Sequence, residues 1–151
     1  PAAFRILQNT TGLELIPTTN APGADITAAG RRAPACAGCH YDSWFALDKV
    51  ASVLSTRAGT ATNVTFTPPT GGAKEILGGV MIADDKELVT ALVGNEAFAV
   101  NACRLALKFL YGRKESTCEG PMFDKCVATF KEAKTIQSAL AAIVEDTTFC
   151  E

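Results

Sequence analysis

Cys36-Ala37-Gly38-Cys39-His40 places two thiols and one imidazole in the order C-x-x-C-H. That order suits one chemistry above others. Each thiol can add across a vinyl group of haem, and the imidazole that follows can reach the iron as its proximal ligand. This is the attachment pattern of a c-type haem. His40 is the only histidine of the chain, and it falls directly after the second cysteine. The expected cofactor is therefore one covalently attached haem c, held by Cys36, Cys39 and His40.

Rival readings of the run ask for partners that the sequence does not offer. A thioredoxin-like dithiol needs a strand before it and a βαβ setting, and Gly30-Arg31-Arg32-Ala33-Pro34-Ala35 does not read as a buried strand. A zinc site needs a second ligand pair at short spacing. Cys118 and Cys126 have seven residues between them and no histidine nearby. The plainest rival is a Cys36–Cys39 disulfide beside a surface histidine.

With His40 used, the second side of the iron falls to another residue type. A methionine sulfur is the next candidate, and the chain has only Met81 and Met122. Met81 closes a glycine-rich stretch and precedes a helical region, so it is the preferred axial ligand. Met122 is the alternative, although core packing is the commoner use of such a residue. A lysine, a ligand from another chain, or an open position remain. Haem propionates are anionic and call for Arg or an indole N–H. Arg31 and Arg32 lie upstream of the motif, and Trp44 and Arg57 downstream. Tyr41 follows the ligand directly.

Around the motif the pattern is mainly α. A helix is expected over 43–56, with Phe45, Leu47, Val50, Val53 and Leu54 on its apolar face. Residues 58–80 read as a long loop rich in Gly and Pro, suited to fold over one haem face. Asp84 and Glu87 form a capping box for a helix over 85–93 ended by Gly94. Asn95 caps the next, over 96–111, with Phe98, Ala102, Leu105, Ala106, Phe109 and Leu110 inward and Gly112 as its stop. Two more are expected over 121–132, with Phe123, Val127 and Phe130 inward, and over 135–145, with Ile136, Leu140, Ile143 and Val144. Residues 1–30 read as an irregular arm that contains a short hairpin around Gln8-Asn9-Thr10-Thr11-Gly12 and is a candidate partner-contacting surface. The expected fold is a cytochrome c-like helical domain, residues 31–151, around one haem.

Bulk properties narrow the setting. The chain has 151 residues, 48% hydrophobic and 20% charged, with net charge −2. That is enough chain for one cored domain, and no basic field argues for nucleic acid. No apolar run approaches a membrane span. Four cysteines remain after the motif, and an even remainder suits two disulfides in an oxidising compartment. The preferred pairing is Cys118–Cys126 and Cys103–Cys150. An extracytoplasmic or periplasmic location follows, and it agrees with where haem c is attached in bacteria. Pro1 opens the chain without an initiator Met, as expected of a processed protein or a segment of a longer precursor.

Several short motifs resemble one family in order and spacing. Cys36-Ala37-Gly38-Cys39-His40, then Phe45-Ala46-Leu47-Asp48-Lys49-Val50-Ala51, then Arg57, is similar to the haem-attachment stretch of large secreted haem proteins of planctomycetes and myxobacteria. Glu87-Leu88, Phe98, Cys103, Leu110-Tyr111-Gly112-Arg113 and Phe149 resemble the C-terminal module of the same proteins. The resemblance covers roughly residues 31–150. Tyr41-Asp42-Ser43 stands where that family has other residues around an Asp-Pro step, and the family's large upstream domains have no counterpart here. The resemblance implies a covalent haem outside the cytoplasm, redox work, and a terminal domain or a subunit of something larger.

These readings converge on electron transfer by a monohaem c-type cytochrome with His/Met ligation, serving redox partner proteins. No nucleophile or proton-handling constellation points to enzyme chemistry. The alternatives are a haem enzyme or gas sensor with an open sixth site, and a haem-bearing docking subunit of a membrane redox complex.

Overall fold

Local sequence signals account for most of the helices of the computed structural model, which describes residues 2–16 and 23–147. The described residues are mainly helical, with seven α-helices and two small sheets. They fall into two compact units. One comprises residues 2–9 with Leu13–Leu92, and the other Thr10–Gly12 with residues from 93 onward. No described helix is long and apolar enough to cross a membrane.

The first unit holds the motif. It begins with α1 (Ala2–Thr11) where a hairpin was expected. Ala3 and Leu7 lie four apart and are both buried, with Ile6 beside them. That is a helical period, not a strand's alternation. The rest of the supposed arm lies partly outside the described residues.

Pro34 opens the motif helix at its first turn, where its missing N–H costs nothing. This helix, α2 (Pro34–Ala37), widens into a π-turn over Gly38–Asp42, closed by the Ser43 N–H donating to the Gly38 carbonyl at 2.9 Å. The next helix is shorter than expected. Ser43 is extended (ψ 166°) and its Oγ accepts from the Ala46 N–H at 3.1 Å, so the chain turns before α3 (Leu47–Ser52) begins. Val50 and Val53 nonetheless point into the core, with Phe45, Leu47 and Leu54 packed against it.

The loop expected over 58–80 is two hairpins. β1 (Thr56–Gly59) pairs antiparallel with β2 (Val64–Thr67), setting Arg57 opposite Phe66. β3 (Lys74–Ile76) pairs with β4 (Val80–Ile82), setting Glu75 opposite Met81. Val64-Thr65-Phe66-Thr67 is the β-branched and aromatic run that favours a strand. Leu77 sits in the second turn at φ 54°, followed by Gly78 and Gly79 at positive φ. Leu77 tolerates this conformation because its side chain is buried and its N–H donates to the Trp44 carbonyl at 2.9 Å. That bond ties the hairpin to the segment just after the motif. Ile76, Leu77 and Ile82 join Leu88 and Leu92 of α4 (Asp85–Gly94) in the core. Asp84 caps α4 as expected, its Oδ1 accepting from the Glu87 N–H at 2.8 Å, while the return bond of the expected box is shifted by one residue, the Ala83 N–H donating to Glu87 Oε2 at 2.7 Å.

In the second unit, α5 (Glu96–Tyr111), α6 (Gly120–Ala133) and α7 (Ile136–Val144) pack on one another. Asn95 caps α5 by accepting from the Ala97 N–H at 2.9 Å, and Gly112 ends it at φ 70°. The buried face of α5 is rotated from the one expected. Ala99, Cys103, Ala106 and Leu107 face inward, while Leu105 and Phe109 are exposed. On α6, Met122 and Cys126 are buried with Phe130, and Phe123 and Val127 sit at the margin. On α7, Ala139, Ala142 and Ile143 are buried, whereas Ile136 and Val144 are exposed.

A disulfide fixes that rotation. Cys103 of α5 bonds Cys126 of α6, with Cα atoms 6.1 Å apart. The expected pairs Cys118–Cys126 and Cys103–Cys150 are therefore incorrect. Cys118 precedes α6 by two residues, so Cys126 lies about 12 Å further along the helix, twice what a disulfide spans. Cys118 is itself disulfide-bonded, and Cys150 lies outside the described residues.

Glu119 caps the same unit from inside. It is fully buried, and Arg113 donates to both of its carboxylate oxygens, at 2.6 and 2.8 Å. The Ser116 N–H adds a bond at 2.8 Å. The Arg113 guanidinium, then the Ser116 amide, outweigh burial and bring the Glu119 carboxyl down from 4.5 to about 2.

Two predictions follow from this unit. Replacing Cys103 and Cys126 together by Ala removes a cross-link between residues 23 apart and costs about 2–5 kcal/mol, read by urea unfolding. An unchanged unfolding midpoint contradicts the pairing. The depressed Glu119 carboxyl contributes stability in full above pH 4.5 and loses it as pH falls toward about 2. In Glu119→Gln that part of the acid dependence disappears from a Tm-against-pH series, and an unaltered acid slope refutes the assignment.

Candidate functional site

Cys36, Cys39 and His40 lie three and four residues apart on one helix, the spacing that puts side chains on a shared face. No residue of α2 or of the π-turn is buried, so this face is open. π-Turns within helices occur frequently at functional sites. Cys36 and Cys39 are free thiols, Cys36 half-buried and Cys39 exposed. The Cys36–Cys39 disulfide of the plainest rival reading is not formed.

No local residue pattern announces the group that orients His40. Asp48, in the first turn of α3, places Oδ2 2.5 Å from His40 Nδ1. The turn at Ser43–Ala46 brings α3 back against the π-turn, and it includes Ala46 at φ 19°, which no residue type announces. Asp48 also binds Arg31, whose Nε donates to Oδ1 at 3.0 Å and to Oδ2 at 3.1 Å, with Nη2 2.9 Å from Oδ1. Arg31 Nη1 donates in addition to the Ile26 carbonyl. Burial disfavours the charged form of Asp48, but the hydrogen bonds from Arg31 and His40 prevail, and its pKa is lowered. The hydrogen bond to Asp48 raises the Arg31 pKa. An ionised carboxylate only accepts, so the shared proton belongs to Nδ1, and Nε2 of a neutral ring is left with its lone pair.

That arrangement fits a covalently held haem by the chemistry of its donors. Two thiols are available for the vinyl groups, and the imidazole has one nitrogen engaged by a carboxylate, as metal-bound histidines usually do. It does not suit zinc. Among the described residues no group of three or more His, Cys, Asp or Glu side chains is gathered to hold a metal ion by itself.

The remaining expected site residues are dispersed. Arg31 is taken up by Asp48. Arg32 lies over the Tyr41 ring, 4.1 Å from its centre. Trp44 is partly exposed and meets Phe45 edge-on, with ring centres 5.4 Å apart. Arg57 is exposed on β1. Met81 is 61% exposed on β4, in the motif's own unit. Met122 is fully buried in the core of the second unit, where packing accounts for it.

No family model, curated protein or solved structure matches the chain.

In protein without attached haem, Cys39 is expected to react with a thiol reagent faster than Cys36, because it is the more exposed. Site-resolved alkylation rates check this, and equal rates contradict the described surface.

Proposed function

We propose that this chain is a monohaem c-type domain that transfers single electrons to and from redox partner proteins outside the cytoplasm. The observation that carries the reading is the open C-x-x-C-H face, with two free thiols and with His40 Nδ1 engaged by Asp48. Each thiol adds across a vinyl double bond. A carbon–sulfur bond forms, the thiol hydrogen passes to the neighbouring vinyl carbon, and no oxidant is needed. When bound, the haem supplies the Fe(III)/Fe(II) couple. His40 would hold the iron through Nε2, and Met81 is the proposed second ligand. Arg32, Arg57 and Trp44 are the proposed propionate contacts. The open setting of the motif suits outer-sphere exchange, which needs an accessible haem edge and no bound substrate.

A second reading, a haem enzyme or gas sensor with an open sixth position, is favoured by one observation. The Asp48 carboxylate on His40 makes the imidazole a stronger donor, and strong proximal donation favours activation chemistry on the far side of the iron.

Optical spectra of oxidised and reduced protein separate the two. The electron-transfer reading expects a low-spin spectrum with the weak far-red band of Met-ligated ferric haem, lost in Met81→Ala. High-spin iron, together with rapid carbon monoxide binding by untreated reduced protein, favours the second reading.

A further inference from the structure

We propose that Arg31, Asp48 and His40 form a relay that sets the electron density on the proximal imidazole, with Asp48 strengthening His40 as a donor and Arg31 limiting that effect. The inference deepens the haem reading and rests on it. Asp48 Oδ2 meets both His40 Nδ1, at 2.5 Å, and Arg31 Nε, at 3.1 Å. Sharing one oxygen between an imidazole and a guanidinium matters. A carboxylate hydrogen-bonded to a ligating imidazole raises its basicity, and a stronger donor favours ferric iron. A guanidinium bound to the same carboxylate draws charge back and makes it a weaker acceptor.

The relay is built, not incidental. His40, Asp48 and Arg31 come from three separate segments: the π-turn, α3 and the 3-10 turn over Gly30–Arg32. Arg31 is fixed by the Ile26 carbonyl, and its own N–H donates to the Thr27 carbonyl at 3.0 Å. Thr27 is held in turn by Asp25, whose Oδ1 accepts the Thr27 N–H at 2.9 Å. The segment upstream of the motif thus holds Arg31 against Asp48. Asp48 and Arg31 act only through His40, which makes them positioning residues.

The test uses haem-loaded protein and the variants Asp48→Asn and Arg31→Gln. Asn keeps the shape and an acceptor but removes the charge. Two readouts are followed: the midpoint potential, and, in a Met81→Ala background that opens the sixth position to carbon monoxide, the iron–histidine stretching frequency by resonance Raman after photolysis of the ferrous carbon monoxide adduct. Asp48→Asn is expected to shift the Fe(III)/Fe(II) equilibrium toward the reduced form by about tenfold, or about 59 mV for one electron, and to lower the stretching frequency. Arg31→Gln is expected to move both readouts the other way. A potential that shifts in Asp48→Asn while the stretching frequency stays fixed overturns the proposal, because distant charge alone does that. Both variants moving in the same direction overturns it too. Should Asp48→Asn fail to load haem, Arg31→Gln decides alone, an opposite shift supporting the relay and unchanged readouts refuting it. Loaded protein with unmoved readouts defeats only the relay, whereas native protein without covalent haem defeats the haem reading along with it.

Discussion

Asp48 accepts from His40 on one side and from Arg31 on the other, and the arrangement of the motif's surroundings depends on that double acceptance. It fixes which ring nitrogen carries the proton and therefore which one keeps its lone pair. It joins the π-turn to α3 and both to the segment upstream of the motif. The motif helix itself buries no residue, so burial does little to hold its orientation. Directional, charge-assisted hydrogen bonds do that work instead.

The scaffold beneath the relay is hydrophobic. Val50 and Val53 anchor α3 in a core with Ile76, Leu77 and Ile82 of the second hairpin and Leu88 and Leu92 of α4. The bond from Leu77 to the Trp44 carbonyl links this core to the residue where the chain leaves the motif. Asp48 is thus presented from the solvent-facing side of a helix whose other side is locked. The second unit carries none of the proposed ligands except Met122, which its core absorbs. Its stability rests on helix packing, the Cys103–Cys126 cross-link and the ion pair that the exposed Arg113 makes with the buried Glu119.

How much was legible in the sequence depends on how local each signal was. Cys36, Cys39 and His40 stand within one short run, and their pattern marks them as candidates without any fold. The Asp84 cap, the Asn95 cap and the Gly112 stop act within one helical turn, and the structure reproduces them. The relay was not legible. Asp48 stood in a run read only for its apolar periodicity, and it reaches His40 through a turn that uses an unusual Ala46 conformation. The two hairpins were hidden by counting Gly and Pro across 58–80 and passing over Val64-Thr65-Phe66-Thr67 between them. The disulfide was misread because loop closure was weighed without the rotation of α5, which the small side chains at Ala99, Cys103 and Ala106 turn toward the core. Arg113 was noted only within a resembling motif, and the Ser116-x-x-Glu119 capping-box pattern that places its buried partner was passed over.

The central claim is that the C-x-x-C-H face is a covalent haem attachment site. Mass spectrometry of the tryptic peptide spanning residues 33–49, from protein produced where haem c is assembled, tests it most directly. The account predicts that this peptide carries the added mass of one intact haem through Cys36 and Cys39. Recovery of the peptide at its plain polypeptide mass, with both thiols unmodified or joined to each other, contradicts it.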